Sequence, residues 1–451
     1  MRENKRIVLD AKKRKMNIKQ VIAGFRQSLK TNKQLRQSVT LMLWNFLSMP
    51  LGLVSNIVIT RYMGPQAYGD YQYIQRVFDL FFILLGFGLM QSVNRAVLLS
   101  KDEKTTSEYY GSGIICLLFN WIVISIVLYA TTFISPNYKE KGIFDLMLCV
   151  IPFSLIFYTN KYFEQVLPSS NKIAELIIQR YIPRIGLFVI ALFIYLVVMK
   201  VDIGISPIVV VWTLFWSTQI IVYLYVFKRI KPSFSNVKQR IKSILHLNKE
   251  YGWPIYIGNL FSTAFAALMP IFLSYFGDDN KGVGFYALSL TLSQPLSFIP
   301  VVVATSHYKA FADYKSLPRK LMTSTIMVSL GAMACLWILV TPFINFFYTP
   351  EFRPVIWLTF VSSIGTILYG FSDFFSRYLM AQGQGKSLRN SSFIVGFSTL
   401  ALSVGLIPWI HEFGASIAHA GAGIVYLFII VYYYRKRVRE NLQTISTNEE
   451  K

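Results

Sequence analysis

Apolar residues in this chain do not alternate with polar ones; they run in long blocks separated by short polar and basic stretches. Twelve blocks are long enough for membrane-spanning helices, near residues 38–60, 74–99, 110–134, 143–166, 174–199, 206–227, 252–276, 283–308, 321–347, 354–380, 391–410 and 413–434. A hydrocarbon core of ~30 Å is crossed by about 20 residues of α-helix at 1.5 Å each. The period-two pattern of a membrane β-barrel is absent. Lipid offers no water to unpaired backbone groups, so these blocks predict an all-α polytopic bundle. Two further stretches have helical periodicity outside the blocks. In 17–36, Ile18, Val21, Ile22, Phe25 and Leu29 form a stripe among basic residues. In the mid-chain linker, Phe234, Val237, Ile241 and Leu245 do the same beside Lys238, Arg240 and Lys242. Both predict amphipathic helices lying on an anionic inner leaflet.

Hydrophobic residues make up 54% of the 451 positions and charged residues 15%, with mean hydropathy +0.46. That balance excludes a soluble enzyme, a secreted disulfide scaffold and a disordered chain. Cys116, Cys149 and Cys335 sit inside apolar blocks without CxxC spacing, so neither a disulfide framework nor a zinc site is expected. Residues 1–37 are basic throughout and contain no signal-peptide core. The net charge of +23 would suggest nucleic acid in a soluble protein; here it sets topology, and no nucleic-acid partner is expected. With the N-terminus inside, the inner segments hold 37 Lys and Arg, and the outer loops hold six: Arg61, Lys139, Lys141, Lys200, Lys281 and Arg353. Arg76 and Arg184 remain within blocks. Both termini are therefore expected in the cytoplasm. The organisation reads as a basic arm (1–37), a first six-helix bundle (38–227), a basic linker (228–251), a second bundle (252–434) and a tail (435–451).

The chain also repeats itself. Tyr62-Met63-Gly64-Pro65-Gln66-Ala67-Tyr68-Gly69-Asp70-Tyr71, after the first block, is echoed after the seventh by Tyr275-Phe276-Gly277 and Gly282-Val283-Gly284-Phe285-Tyr286, at offsets of 213 and 215. Phe133-Ile134-Ser135-Pro136 likewise meets Tyr348-Thr349-Pro350. Six blocks per repeat give both halves one orientation, with a symmetry axis along the membrane normal.

From Arg61 to Tyr71, and again at Leu85-Gly86-Phe87-Gly88-Leu89 and Asn94-Arg95, the sequence resembles the polysaccharide repeat-unit (O-antigen and capsule) flippases of the MATE-like superfamily. That superfamily also holds multidrug MATE exporters and lipid II flippases. The resemblance implies two six-helix bundles forming a V around a cavity that opens alternately to each side. It implies no enzymatic activity and no cofactor. The implied substrate is an undecaprenyl-diphosphate oligosaccharide in the bacterial cytoplasmic membrane, its prenyl tail remaining in lipid. Partners would be anionic lipids, a polymerase and other polysaccharide-assembly proteins.

A diphosphate crossing hydrocarbon needs cations, and arginine matches it bidentately. Charges within spans are costly, which makes each a candidate. Arg184 lies ~16 Å into the fifth block, after Pro183, which should kink the helix; it faces substrate or packs on a carboxylate or carbonyls. Arg180 is one turn nearer the cytoplasm. Arg95 meets the diphosphate on entry or snorkels. Arg76 and Asp79, at i and i+3, form a local salt bridge or serve a gate. Asp373 and Arg377, at i and i+4, pair structurally. Asp79 and Asp373 are the ion-coupling candidates. Tyr158, Tyr162 and Trp212 are available to stack on sugars. Two rival readings fit less well: a polyprenyl-linked glycosyltransferase or polymerase needs a larger acidic outer loop than the short one at Asp278-Asp279, and a MATE-type ion-coupled drug exporter needs a mainly acidic cavity. No GxxxxGK[ST] phosphate loop is present.

Overall fold

The computed structural model describes residues 33–200 and 204–449, so nearly all of the amphipathic stretch expected at 17–36 lies outside the described residues. The described residues are helical with short connections and contain no strand. The main helices are α1 (Lys33–Leu84), α2 (Leu89–Leu99), α3 (Glu103–Ile134), α4 (Phe144–Ser169, with one 3-10 turn at Ile151–Phe153), α5 (Ile173–Leu196) and α6 (Pro207–Ile230). After the linker helix α7 (Val237–Leu247) come α8 (Trp253–Phe276), α9 (Lys281–Ser306), α10 (Arg319–Phe347), α11 (Pro354–Ala381) and α12 (Gly385–Glu449). Among the described residues, eight helices are long and apolar enough to cross a membrane, or nine with one bent pair taken as a single span. Their outward faces carry large exposed apolar side chains such as Ile134, Phe346, Trp409 and Phe428. Apolar surface on this scale belongs in lipid, and the protein is a multi-pass membrane protein.

Two of the long helices are hairpins. In α1, Gly64 leaves helical geometry (φ 69°, ψ 174°). A straight helix would hold residues 56 and 68 about 18 Å apart, yet the Asn56 amide donates to the Tyr68 hydroxyl at 3.3 Å. The chain thus turns on one residue, where glycine tolerates the left-handed region without a Cβ penalty and Pro65 opens the next helix with φ already set. In α12 the break is at Ile410 and His411. Gly421 there faces Leu402, which a straight helix would hold ~28 Å away.

The second apolar block is not one straight span. It bends by 66° between Leu84 and Leu89, where Phe87 (φ 47°) and Gly88 (φ 73°) are both left-handed. A break inside a bilayer frees carbonyls that lipid cannot satisfy. Other elements supply the donors: the Tyr256 hydroxyl to Leu84 O at 2.5 Å, the Asn120 amide to Leu85 O at 2.5 Å, and the Asn248 amide to Phe87 O at 3.0 Å. Leu85-Gly86-Phe87-Gly88-Leu89 is therefore a stitched joint.

The linker helix is docked on protein as well as amphipathic. Ile244 is fully buried, while Phe234 and Leu245 of the expected membrane stripe remain exposed. Arg240 bonds the buried Glu108 carboxylate at 2.7 Å, and Asn236 donates to its other oxygen at 3.1 Å. That partnership raises the Arg240 pKa. A charge this enclosed needs such partners, so α7 is fixed to the start of α3.

The core is distributed unevenly. One cluster runs from Ile74, Tyr158 and Phe163 of the first half into Val283, Tyr286, Phe352 and Val355 of the second, all of the latter at the end remote from the linker. At the linker end the second half has its own small cluster around Phe311, Phe374 and Tyr378. The halves share a core at one end and keep separate cores at the other.

Candidate functional site

Charged side chains of the first half form a chain through the helix bundle. Asp79 is held by two cations, Lys161 of α4 at 3.2 Å and Arg76 at 3.5 Å. One turn along α4, Glu164 pairs with Arg180 of α5 at 3.5 Å. One turn along α5, Arg184 donates to the Ser48 hydroxyl of α1 at 2.9 Å and lies 5.5 Å from the Tyr181 ring centre. Four basic groups thus face two carboxylates. Arg184 is exposed, and among the described residues no carboxylate lies within ion-pair distance of it. Its side chain is poised by a hydroxyl and an aromatic face, and neither neutralises it.

The α5 helix runs continuously through Pro183. Proline still removes the N–H that would bond the Gln179 carbonyl, and Pro183 itself is buried while Arg184 is exposed. Arg95 stands apart, its guanidinium 5.2 Å from the Tyr251 ring at the linker end. The expected Asp373–Arg377 pair does not close to ion-pair distance. Asp373 accepts from the Tyr426 hydroxyl at 3.4 Å instead, and Tyr426 shares a 3.0 Å hydrogen bond with Ser376. The i,i+4 spacing was correct, but a cross-helix hydroxyl was the nearer partner. Tyr158 and Tyr162 are fully buried and Trp212 nearly so; all three build the first-half core and offer no sugar-stacking face. Sequence reasoning missed Lys161 and Glu164. Glu164, a carboxylate near the end of the fourth block, carried the available signal, whereas Lys161 reads as an interface residue until its distance to Asp79 is known.

The halves meet at two seams. At the end remote from the linker, Asp70 accepts from the Asn280 amide at 2.7 Å, and Asn280 accepts from Ser274 at 2.6 Å. Gly69 lies against Asn280 and against Gly284, so the two halves' related Gly motifs touch each other. Lys141 donates to the Gly277 carbonyl at 2.6 Å, and burial pushes its ammonium pKa down. At the linker end, Gly88 lies against Gly252, and the Ser92 hydroxyl donates to Asn248 at 2.8 Å. Between the seams lies a cavity of about 210 Å³, lined by Gly86, Met90 and Gln91 of the bent span, Gln165 of α4, and Tyr256 and Thr263 of α8. The Gln165 carbonyl oxygen is buried there without a partner. With Phe82 and Ile83 also in its wall, this cleft is mainly apolar and offers the Gln91 and Gln165 amides to uncharged hydroxyls, while the chain of cations suits an anion.

The sequence matches the family model described as polysaccharide biosynthesis protein over residues 35–315. No curated protein matches it. Among solved structures, it is similar to a lipid II flippase MurJ in an inward closed conformation, at TM-score 0.69 and 17% identity, covering 91% of this chain and 92% of that one. It is also similar to an inward-facing multidrug resistance MATE transporter, at TM-score 0.59 and 14% identity, covering 88% and 96%. At these identities the likeness is one of fold.

Proposed function

Because the chain belongs to the polysaccharide biosynthesis protein family, we propose that it flips undecaprenyl-diphosphate-linked oligosaccharide units across the bacterial cytoplasmic membrane. The observation that carries the reading is the chain of four cations against two carboxylates, ending in an exposed Arg184 that has no carboxylate partner among the described residues. A diphosphate desolvated from water is matched by such groups, and arginine adds the bidentate fork. Arg184 and Arg180 hold the diphosphate, Arg76 adds field, and Arg95 receives the headgroup at the cytoplasmic end. Asp79 and Asp373 are the ion-coupling candidates. The excess of cations argues against export of cationic drugs, and the protein acts as a transporter without bond-making chemistry.

Counting each hairpin as two arms and the bent pair as one supports twelve spans in two halves of six. The positive-inside bias places both termini and the linker in the cytoplasm. The shared core then lies on the outer side, and movement between the halves at the other side opens the path. The test is reconstitution of the full chain in liposomes carrying a labelled undecaprenyl-diphosphate oligosaccharide. Accessibility of the glycan on the opposite leaflet should rise with protein; no rise above protein-free liposomes, with the protein folded, refutes the reading.

A further inference from the structure

A second cavity, of about 640 Å³, lies wholly within the first half at the linker end. The ends of α2, α3, α4, α5 and α6 converge on it. Its lining includes Lys104, Lys172, Arg229 and Lys231, against the single acid Glu103. Arg229 is partly offset by Glu175 at 3.7 Å. Ser100, Thr106 and Ser170 add hydroxyls, and Val97 and Leu98 form an apolar wall. Beside that wall, Leu98 and Leu99 are 54% and 52% exposed.

Lys231 is held left-handed (φ 47°) at the end of α6. A bulky residue in that region is strained unless its surroundings require it, and here the backbone is fixed by Ser107, whose hydroxyl bonds the Lys231 carbonyl. The N-cap of α5, Lys172, gives no side-chain acceptor to the first turn, whose one acid, Glu175, is paired with Arg229.

We propose that this cavity binds the phosphate headgroup of an anionic phospholipid. Converging cations and hydroxyls are the chemistry that holds a phosphate. The exposed leucines beside them suit an acyl chain rather than water, which favours a lipid over a free anion. The site lies in one half and away from the cavity between the halves, so it is independent of the transport reading.

The test follows thermal unfolding of the purified full chain in detergent, titrated with phosphatidylglycerol, phosphatidylcholine or inorganic phosphate. Phosphatidylglycerol should raise the unfolding temperature at concentrations where the other two do not. In the variant Lys104→Ala/Lys172→Ala/Lys231→Gly the half-effective concentration should rise about tenfold or more. The control Lys228→Ala/Lys238→Ala/Lys242→Ala removes equal charge from the same end but outside the cavity, and should stay near wild type. Lys172→Gln alone, which keeps the side-chain bulk, should give a smaller shift in the same direction even if the triple variant is poorly folded. Equal loss in the control, equal effect of phosphatidylcholine or inorganic phosphate, or an unchanged Lys172→Gln response overturns the proposal.

Discussion

Arg184 is worth most attention among single residues because its surroundings separate two roles. Its charged hydrogen bond to Ser48 contributes about 1–2 kcal/mol at this exposed position, and among the described residues no carboxylate is orphaned by its removal. Arg184→Ala should therefore abolish flipping while leaving expression and unfolding temperature near wild type. Arg184→Lys should keep part of the activity, since charge survives without the bidentate fork. Loss of the protein from the membrane in the Ala variant, or full transport at normal expression, would remove Arg184 from the mechanism. Asp79 is a contrasting case, because it sits between Lys161 and Arg76. Asp79→Asn should leave two cations facing each other and lower stability along with transport, as read from unfolding temperature and flipping together. Arg184 was legible in the sequence because a charge within an apolar block is conspicuous. Lys161 was not, because near a block's end a lysine reads as an interface residue; only the cross-helix distance to Asp79 makes it part of the chain.

At the scale of elements, periodicity located the helices but missed where they bend. The block at 74–99 looks continuous because Leu, Phe and Met carry hydropathy across Gly86 and Gly88, and the bend depends on φ at Phe87 and Gly88. The donors that permit the break lie far off in sequence, at Asn120, Asn248 and Tyr256. The corner at Gly64-Pro65 was legible because that pair is a turn signal in itself, and the break at Ile410 and His411 falls where the blocks 391–410 and 413–434 part, marked by His411-Glu412 rather than by a glycine. The linker helix was half legible: its apolar stripe showed, but its docking depends on Glu108, more than a hundred residues away. Arg240→Ala should strand that carboxylate in its enclosed position and lower the unfolding temperature by several degrees. Glu108→Gln added to it should recover much of the loss. A double variant no more stable than Arg240→Ala would mean that α7 is held by its apolar contacts alone.

At the scale of the molecule, the two seams carry the argument for alternating access, and glycine gives a way to push each one separately. Gly69 is helical and meets the Asn280 backbone directly, so a methyl group there must force the halves apart at the end remote from the linker. Gly88 is left-handed and lies against Gly252, so Gly88→Ala strains the joint and loosens the linker end. Spin labels at Lys139 and Glu351 report the first seam, and labels at Lys104 and Lys315 the second. Gly69→Ala should lengthen the 139–351 distance and shorten or leave 104–315. Gly88→Ala should do the reverse, since opening one end of a rocking pair closes the other. If both variants lengthened both distances, the halves would be separating rather than rocking. Single cysteines test the orientation: those at Lys139 and Lys281 should react with an impermeant reagent outside intact cells, while those at Ser235 and Ser316 stay protected. Labelling at Ser235 would invert the topology drawn from the charge bias, and with it the side at which the shared core closes the path.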